Sequence, residues 1–236
     1  MLRSTILLLF LSSICSFAQL TGKELLEKTI EFHDPNGNWE TFSGNLFVTM
    51  ETPKSPNRDS EIKIDLPNEY FYLKSTRGKN TTEYTVHKKE CSILFNDKKP
   101  SESEMKENNL NCDRAHLYKN YYTYLYGLPM KLEDPGTKIY PKVVKKTFKG
   151  KEYLALKATY DEPLGSDIWY FYFDPKTYSM EVYQFFKKGK PNSGEYISLT
   201  GTETINGIKM PKIRAWYYNK DDKYLGTDIL KLESRN

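Results

Sequence analysis

After Trp39 nearly every stretch able to bury a face is short and ends in a tight turn, and this rhythm constrains the fold more than any other feature. The segment "EIKID" at 61–65 alternates strictly. Ile62 and Ile64 fall on one face, and Glu61, Lys63 and Asp65 on the other, so one face is buried and one is wet. Pro67-Asn68 leads into "EYFYLKST", Arg77-Gly78 into "TTEYTVH", and Lys88-Lys89 into "CSILFN". Connections this short leave no room for a crossover, so successive strands pair antiparallel. Hairpins resume after residue 138, turning at Lys149-Gly150, at Asp174-Pro175-Lys176 and at Asn206-Gly207, the last the strongest short hairpin signal in the chain. About eleven to twelve strands follow in chain order, more than a flat open sheet accommodates, so the sheet must curl. The expected fold is mainly β, within the α+β class: a strongly curved antiparallel meander forming an incomplete barrel. Its concave face is filled by side chains, by helices or by a ligand.

Two helical segments break the rhythm. Thr21 and Glu24 form a capping box, and Leu25, Leu26, Thr29, Ile30 and His33 recur at helical spacing until Asp34-Pro35-Asn36-Gly37. Ser101 and Glu104 form a second box in mid-chain. A longer helix runs from about Arg114 to Tyr126, capped by Asn111 or Asp113 and ended by Gly127 and Pro129. Its expected apolar stripe, Leu117, Tyr121, Tyr124, Leu125 and Leu128, suits a lid over the sheet.

The first eighteen residues read as a secretory signal: Arg3, an apolar run, and Ser16-Phe17-Ala18 with cleavage between Ala18 and Gln19. Ile14 before Cys15 is neither small nor polar, which argues against lipid attachment. Residues 19–236 then form one domain, expected as a periplasmic or secreted monomer for which peripheral membrane contact stays open. Removal of Arg3 takes the formal charge from +4 to +3, and the lysines are dispersed, so no nucleic-acid partner is expected. Cys91 and Cys112 are the cysteines left, and in an oxidising compartment they form one bridge, the alternative being two buried thiols. Closing a loop of about 21 residues is worth roughly 3 kcal/mol.

No catalytic signature is present. His33, His87 and His116 lie at no metal-binding spacing to one another and no CxxC or HExxH accompanies them, so no metal or cofactor is expected. There is no G-x-S-x-G, Walker or Rossmann glycine pattern, and an enzyme is not expected. A carboxylate pair brought together only in space is invisible at this level.

Residues 166–186 hold nine aromatic rings, with Trp169, Phe171 and Phe173 on one face and Tyr170 and Tyr172, beside Ile168, on the other. Such a strand is covered on both sides. Two readings stay open: a core filled by its own side chains, or an apolar pocket that holds a lipid, an acyl chain or a lipidated protein. The walls of such a pocket are Ile62, Ile64, Phe71, Leu73, Tyr84, Val86, Leu154, Leu156, Phe171 and Phe173, and Leu117, Tyr121, Tyr124 and Leu125 form its lid.

The order of elements, with "WYFYFDPKTYSMEVYQFF", "GTETINGIKMPKIRAWYY" and the segment Tyr126 to Gly136, resembles the LolA/LolB/LppX-like lipoprotein-carrier superfamily, in a branch without an assigned function. The resemblance implies a half-barrel lidded by helices, with a greasy space between them for acyl chains. It implies no catalysis. The alternative is a structural or interaction module of the cell envelope.

The alternation yields a test. Phe171→Asp should destabilise the protein by about 4 kcal/mol or more, whereas Lys63→Asp should change stability by less than about 0.5 kcal/mol. Equal melting temperatures for the two variants would contradict the face assignment.

Overall fold

The structure, a computed structural model, describes residues 20–162 and 165–232. The expected signal segment and its cleavage point at Ala18 and Gln19 lie outside them. The chain opens with helix α1 (Gly22–His33), followed by a single 3-10 turn at Trp39–Thr41. Then come β1 (Ser43–Thr52), β2 (Ser55–Asp65), β3 (Tyr70–Arg77), β4 (Asn80–His87) and β5 (Glu90–Phe95). Helices α2 (Glu102–Glu107) and α3 (Cys112–Gly127) interrupt them. The second series is β6 (Thr137–Ile139), β7 (Val144–Phe148), β8 (Lys151–Tyr160), β9 (Ile168–Phe173), β10 (Met180–Phe186), β11 (Glu195–Ile205), β12 (Ile208–Tyr218) and β13 (Tyr224–Lys231).

All of these strands join one 13-stranded antiparallel sheet in the order β5-β4-β3-β2-β1-β13-β12-β11-β10-β9-β8-β6, with β7 also paired to β8. The two meanders meet where β1 pairs with β13, Val48 opposite Leu230 and Met50 opposite Asp228. The sheet curves but does not close: β5 stands at one edge and β6 and β7 at the other. The turn at Asn206-Gly207 has φ of 50° and 82°, as the tight hairpin expected from the sequence requires.

The structure departs from the sequence reading in two places. Residues 138–148 make two strands, not one. Pro141 has no N–H to donate to a ladder, and its carbonyl accepts from Gly22 N (2.8 Å), so the chain leaves β8 after β6 and returns as β7. β2 begins at Ser55, six residues before "EIKID", and its polar half pairs in unbroken register with β3 from Arg58 onward.

α1 carries the expected capping box: Thr21 N donates to Glu24 Oε2 (2.8 Å) and Glu24 N to Thr21 Oγ1 (3.2 Å). Its buried face, Leu25, Leu26, Thr29 and His33, packs against β8 and β12. Thr29 Oγ1 donates to Tyr178 O (2.7 Å). The Asp34 carboxylate accepts from Asn38 N and Trp39 N, both at 2.8 Å, and so fixes the turn that ends the helix.

The rings of 166–186 are divided between two cores. Phe171, Phe173 and Tyr183 join the main core on the concave side. Tyr172 and Val182 join a smaller cluster on the convex side with Tyr153, Ala155 and Tyr196. Phe148 of β7 covers that cluster, 5.3 Å from the Tyr172 ring and 5.1 Å from that of Tyr196.

His33 is the buried polar anchor between α1 and the sheet. Its Nε2 accepts from Met180 N (3.0 Å), so its Nδ1 carries the proton donated to Lys209 O (2.6 Å). Burial holds its pKa down at about 4, against the ordinary 6.5. The unfolded chain therefore binds the proton first on acidification. Stability should be full above the ordinary value and fall between pH 6.5 and 4, by about 3 kcal/mol in the limit. Urea titrations across that range should show this slope in the parent and a shallower one in His33→Gln; identical slopes would contradict it.

Candidate functional site

Because β5 and β6 are the two edges of an open sheet, the segment that joins them must cross from one edge to the other. α3 makes most of that crossing. Its Asn111 N-cap accepts from Arg114 N (2.8 Å), and sixteen residues give it a length of about 24 Å. The Cys91–Cys112 disulfide, with Cα atoms 5.9 Å apart, ties its first residue to β5. Along its length α3 touches successive strands of the concave face: Tyr118 lies 5.6 Å from the Tyr84 ring on β4, Tyr122 stacks 6.4 Å from Phe71 on β3, and Tyr124 meets Trp169 of β9 edge-on at 6.3 Å.

Beneath it lie the expected wall residues. Ile62, Ile64, Phe71, Leu73, Tyr84 and Val86 form one apolar patch, cross-paired on β2, β3 and β4. Leu154, Leu156, Phe171 and Phe173 form a second patch on β8 and β9. The sheet's curvature brings both into one cluster. Leu154 is half-buried, and the other nine are between 0% and 2% exposed. Helix and sheet atoms already cover these walls. Two external grooves of about 470 Å³ lie elsewhere, one around Thr49, Asp59 and Lys231 and one around Lys146, Tyr170 and Phe186.

One lid assignment is corrected. Leu117 is 65% exposed and points away from the sheet, whereas Leu125 is buried and Tyr121 and Tyr124 are half-buried against it. Ala115, Tyr118, Tyr122 and Tyr126 join Tyr121, Tyr124 and Leu125 against the core, so the packed face is broader than the expected stripe and leaves out Leu117. Gly127 does not end the helix through a left-handed turn. It is the last helical residue, and a Cβ there would lie 2.2 Å from the Trp39 ring, so close approach explains the glycine.

The covered interior is polar at one end. Arg58 Nη2 donates to the Tyr122 hydroxyl (2.9 Å). Arg214, 1% exposed, donates from Nη1 to Pro211 O (3.0 Å) and from Nη2 to Leu125 O (3.1 Å) of α3, and sits 4.1 Å from the Tyr126 ring centre. Burial raises the Asp228 carboxyl above its usual range, against the pull of Arg58 and Arg214. Desolvation also pushes Tyr121 and Tyr124 well up, so both hydroxyls are neutral, and Tyr124 shares a short hydrogen bond with Tyr160. Buried side-chain atoms without a hydrogen-bond partner gather here: Arg58 Nε, Ser60 Oγ, Tyr126 Oη, Tyr183 Oη, Arg214 Nε, Trp216 Nε1 and Asp228 Oδ1. Trp216 acts on Asp228 and Arg214 on Tyr183, without reaching hydrogen-bond geometry.

Sequence reasoning missed these polar residues. Strand parity could have found them, because Arg58 shares its face with Ile62, Arg214 with Met210 and Asp228 with Leu230.

Of the three histidines, His33 is structural, His87 lies 6.1 Å from the Tyr70 ring, and His116 is half-buried on α3. Among the described residues no cluster of three His, Cys, Asp or Glu side chains could hold a metal, and no helix is long and apolar enough to cross a membrane.

Residues 3–233 match the model of a family described as of unknown function, DUF6503. No curated protein matches the chain significantly in sequence. Among solved structures the chain is similar to a LolA superfamily protein from Nitrosomonas europaea, with 10% identity, 92% of this chain and 95% of that one covered, and a TM-score of 0.49. It is also similar to a putative outer membrane lipoprotein-sorting protein domain from Vibrio parahaemolyticus (8% identity, 91% and 95% covered, TM-score 0.49). A DUF1329 family protein from Desulfovibrio piger is similar at 8% identity, with 89% and 90% covered and a TM-score of 0.49. No functional property is taken from these three.

The corrected helix face can be checked directly. Leu125→Ser should cost about 3 kcal/mol of stability and Leu117→Ser less than about 0.5 kcal/mol, by urea unfolding. Comparable losses at the two positions would contradict the helix orientation.

Proposed function

The chain belongs to the DUF6503 family, and we propose that it is an exported, non-enzymatic carrier that takes an acyl chain between the concave sheet face and α3. A lipid or the acyl group of a lipidated protein is the cargo class. The N-terminal segment, acting as a secretory signal, delivers the protein to the periplasm or beyond.

One observation carries this reading. Helices and turns rather than a second sheet cover the apolar concave face, α1 with Leu25 and Leu26 over one part and α3 over the patch of Ile62, Phe71 and Tyr84, and much of the contact surface of α3 is tyrosine. Such a cover is weakly specified by packing and inexpensive to displace. Lifting it exposes Ile62, Ile64, Phe71 and Leu73 as a trough, while the disulfide keeps the helix attached to β5. A sixteen-carbon chain laid in the trough gains around 12 kcal/mol, at about 0.8 kcal/mol per methylene, before entropy and helix displacement are deducted. That is enough to offset the loss of several ring contacts.

A second reading is favoured by a specific observation as well. Wall residues that are 0% to 2% exposed are what a self-filled core has, and the protein is then a structural or interaction module of the envelope.

Extraction of the purified mature protein with organic solvent, followed by mass spectrometry and by titration with a fluorescent acyl probe, separates the two. The carrier reading expects extractable lipid or saturable uptake of about one probe per chain. A blank extract together with no uptake would overturn it.

A further inference from the structure

The polar end of the interior is ordered across the sheet. Arg58 on β2 lies opposite Met50 on β1, Met50 opposite Asp228 on β13, and Asp228 opposite Arg214 on β12. The three charged side chains therefore stand in one transverse row over four adjacent strands, within about 14 Å at the usual strand spacing. Asp228 and Arg214 are each 1% exposed, and Arg58 is half-buried. On β3 the exposed Arg77 lies opposite Arg58 and donates to Met50 Sδ (3.8 Å), so the row continues to the surface with a third guanidinium group and its positive charge exceeds that of its one carboxylate. The Nε of both arginines and the Tyr126 and Tyr183 hydroxyls can donate and make no hydrogen bond, while the Trp216 indole N–H faces the Asp228 carboxylate. A buried excess positive charge ringed by idle donors calls for an anion.

The row also has a direction. Along β2 the inward residues are Arg58, Ser60, Ile62 and Ile64, so polarity falls off in steps of about 6.6 Å from charged to hydroxyl to wholly apolar. Tyr122 spans the boundary, with its hydroxyl on Arg58 and its ring on Phe71. An amphiphile with one charged end and a straight tail matches that gradient.

We propose that the Arg58–Asp228–Arg214 row is a head-group site for an anionic group at the end of an acyl chain, with a long-chain fatty-acid carboxylate as the favoured ligand. This rests on the carrier reading above and narrows it. The two arginines and the Tyr126 and Tyr183 hydroxyls receive the anion. Asp228 offsets part of the row's positive charge. The tail runs from Arg58 toward Ile62, Ile64 and Phe71. A neutral, esterified lipid would leave the excess charge uncompensated and bind less well.

Titration of the full mature protein with palmitate, hexadecyl phosphate and hexadecanol tests this, since the three share one tail and differ only in the head. Palmitate should bind at least tenfold tighter than hexadecanol. Hexadecyl phosphate binding tighter still would keep the anion site but overturn the carboxylate. Arg58→Gln should remove most of the preference for palmitate over hexadecanol, and Arg58→Lys should restore part of it. Asp228→Asn should strengthen palmitate binding severalfold, an effect that a merely structural ion row would not give. Equal affinity for palmitate and hexadecanol, or a preference unmoved by Arg58→Gln, would overturn the head-group site while leaving the carrier reading intact. Failure of all three amphiphiles to bind would instead overturn the carrier reading itself.

Discussion

The pairing of β1 with β13 is the contact on which the rest of the structure depends. It joins two meanders that are far apart in sequence into one sheet, Phe47 opposite Lys231 through Glu51 opposite Thr227. Without it each meander would be a short twisted sheet with an apolar face open to water. With it the combined sheet is long enough that right-handed twist bends it round, and the two free edges come to flank a concave face. The chain must then bridge those edges, which puts α3 across the opening. The cover over the interior thus follows from connectivity.

That origin explains why the interior is so uneven. Deep in the trough, cross-strand pairs such as Ile62 with Leu73 and Leu156 with Phe171 are apolar and fully covered. Under the middle and C-terminal part of α3, the covering atoms are phenol rings whose hydroxyls must find partners; Tyr122 and Tyr124 have them and Tyr126 does not. Tyr122 illustrates the compromise: it stacks near Phe71 and Tyr126 while its hydroxyl accepts a hydrogen bond from Arg58. An evolved permanent core has little reason to keep Arg214 and Asp228 at 1% exposure with an Nε and an Oδ1 idle. A cover that is to be lifted has such a reason, because imperfect satisfaction lowers the barrier to opening.

Much of the architecture was legible because local signals and global fold agree. Strict alternation placed Ile62 and Ile64 inward, the Asn206-Gly207 turn has the backbone its residues imply, and the Thr21–Glu24 capping box is present as expected. Three things were not legible, each for a physical reason. The β1–β13 pairing is non-local, and no short motif encodes it. The splitting of 138–148 depends on where Pro141 meets Gly22, a tertiary contact. The exposure of Leu117 on α3 was not legible because tyrosine is both a large apolar ring and a hydroxyl, so hydropathy alone does not rank Tyr118, Tyr122 and Tyr126 above a leucine. The charged row was readable by parity, but a charge at an inward position has meaning only once its neighbours on three other strands are known.

The central claim is that α3 is a displaceable cover and not part of the permanent core. Native-state hydrogen exchange over residues 112–127 tests it most directly, compared with the amides of β9 and β10 in the same molecule. The expected result is that α3 amides exchange through a local opening markedly faster than those two strands, and that an acyl amphiphile changes the α3 rates selectively. Exchange of α3 only through global unfolding, at the rate of β9 and β10 and indifferent to amphiphile, would contradict it.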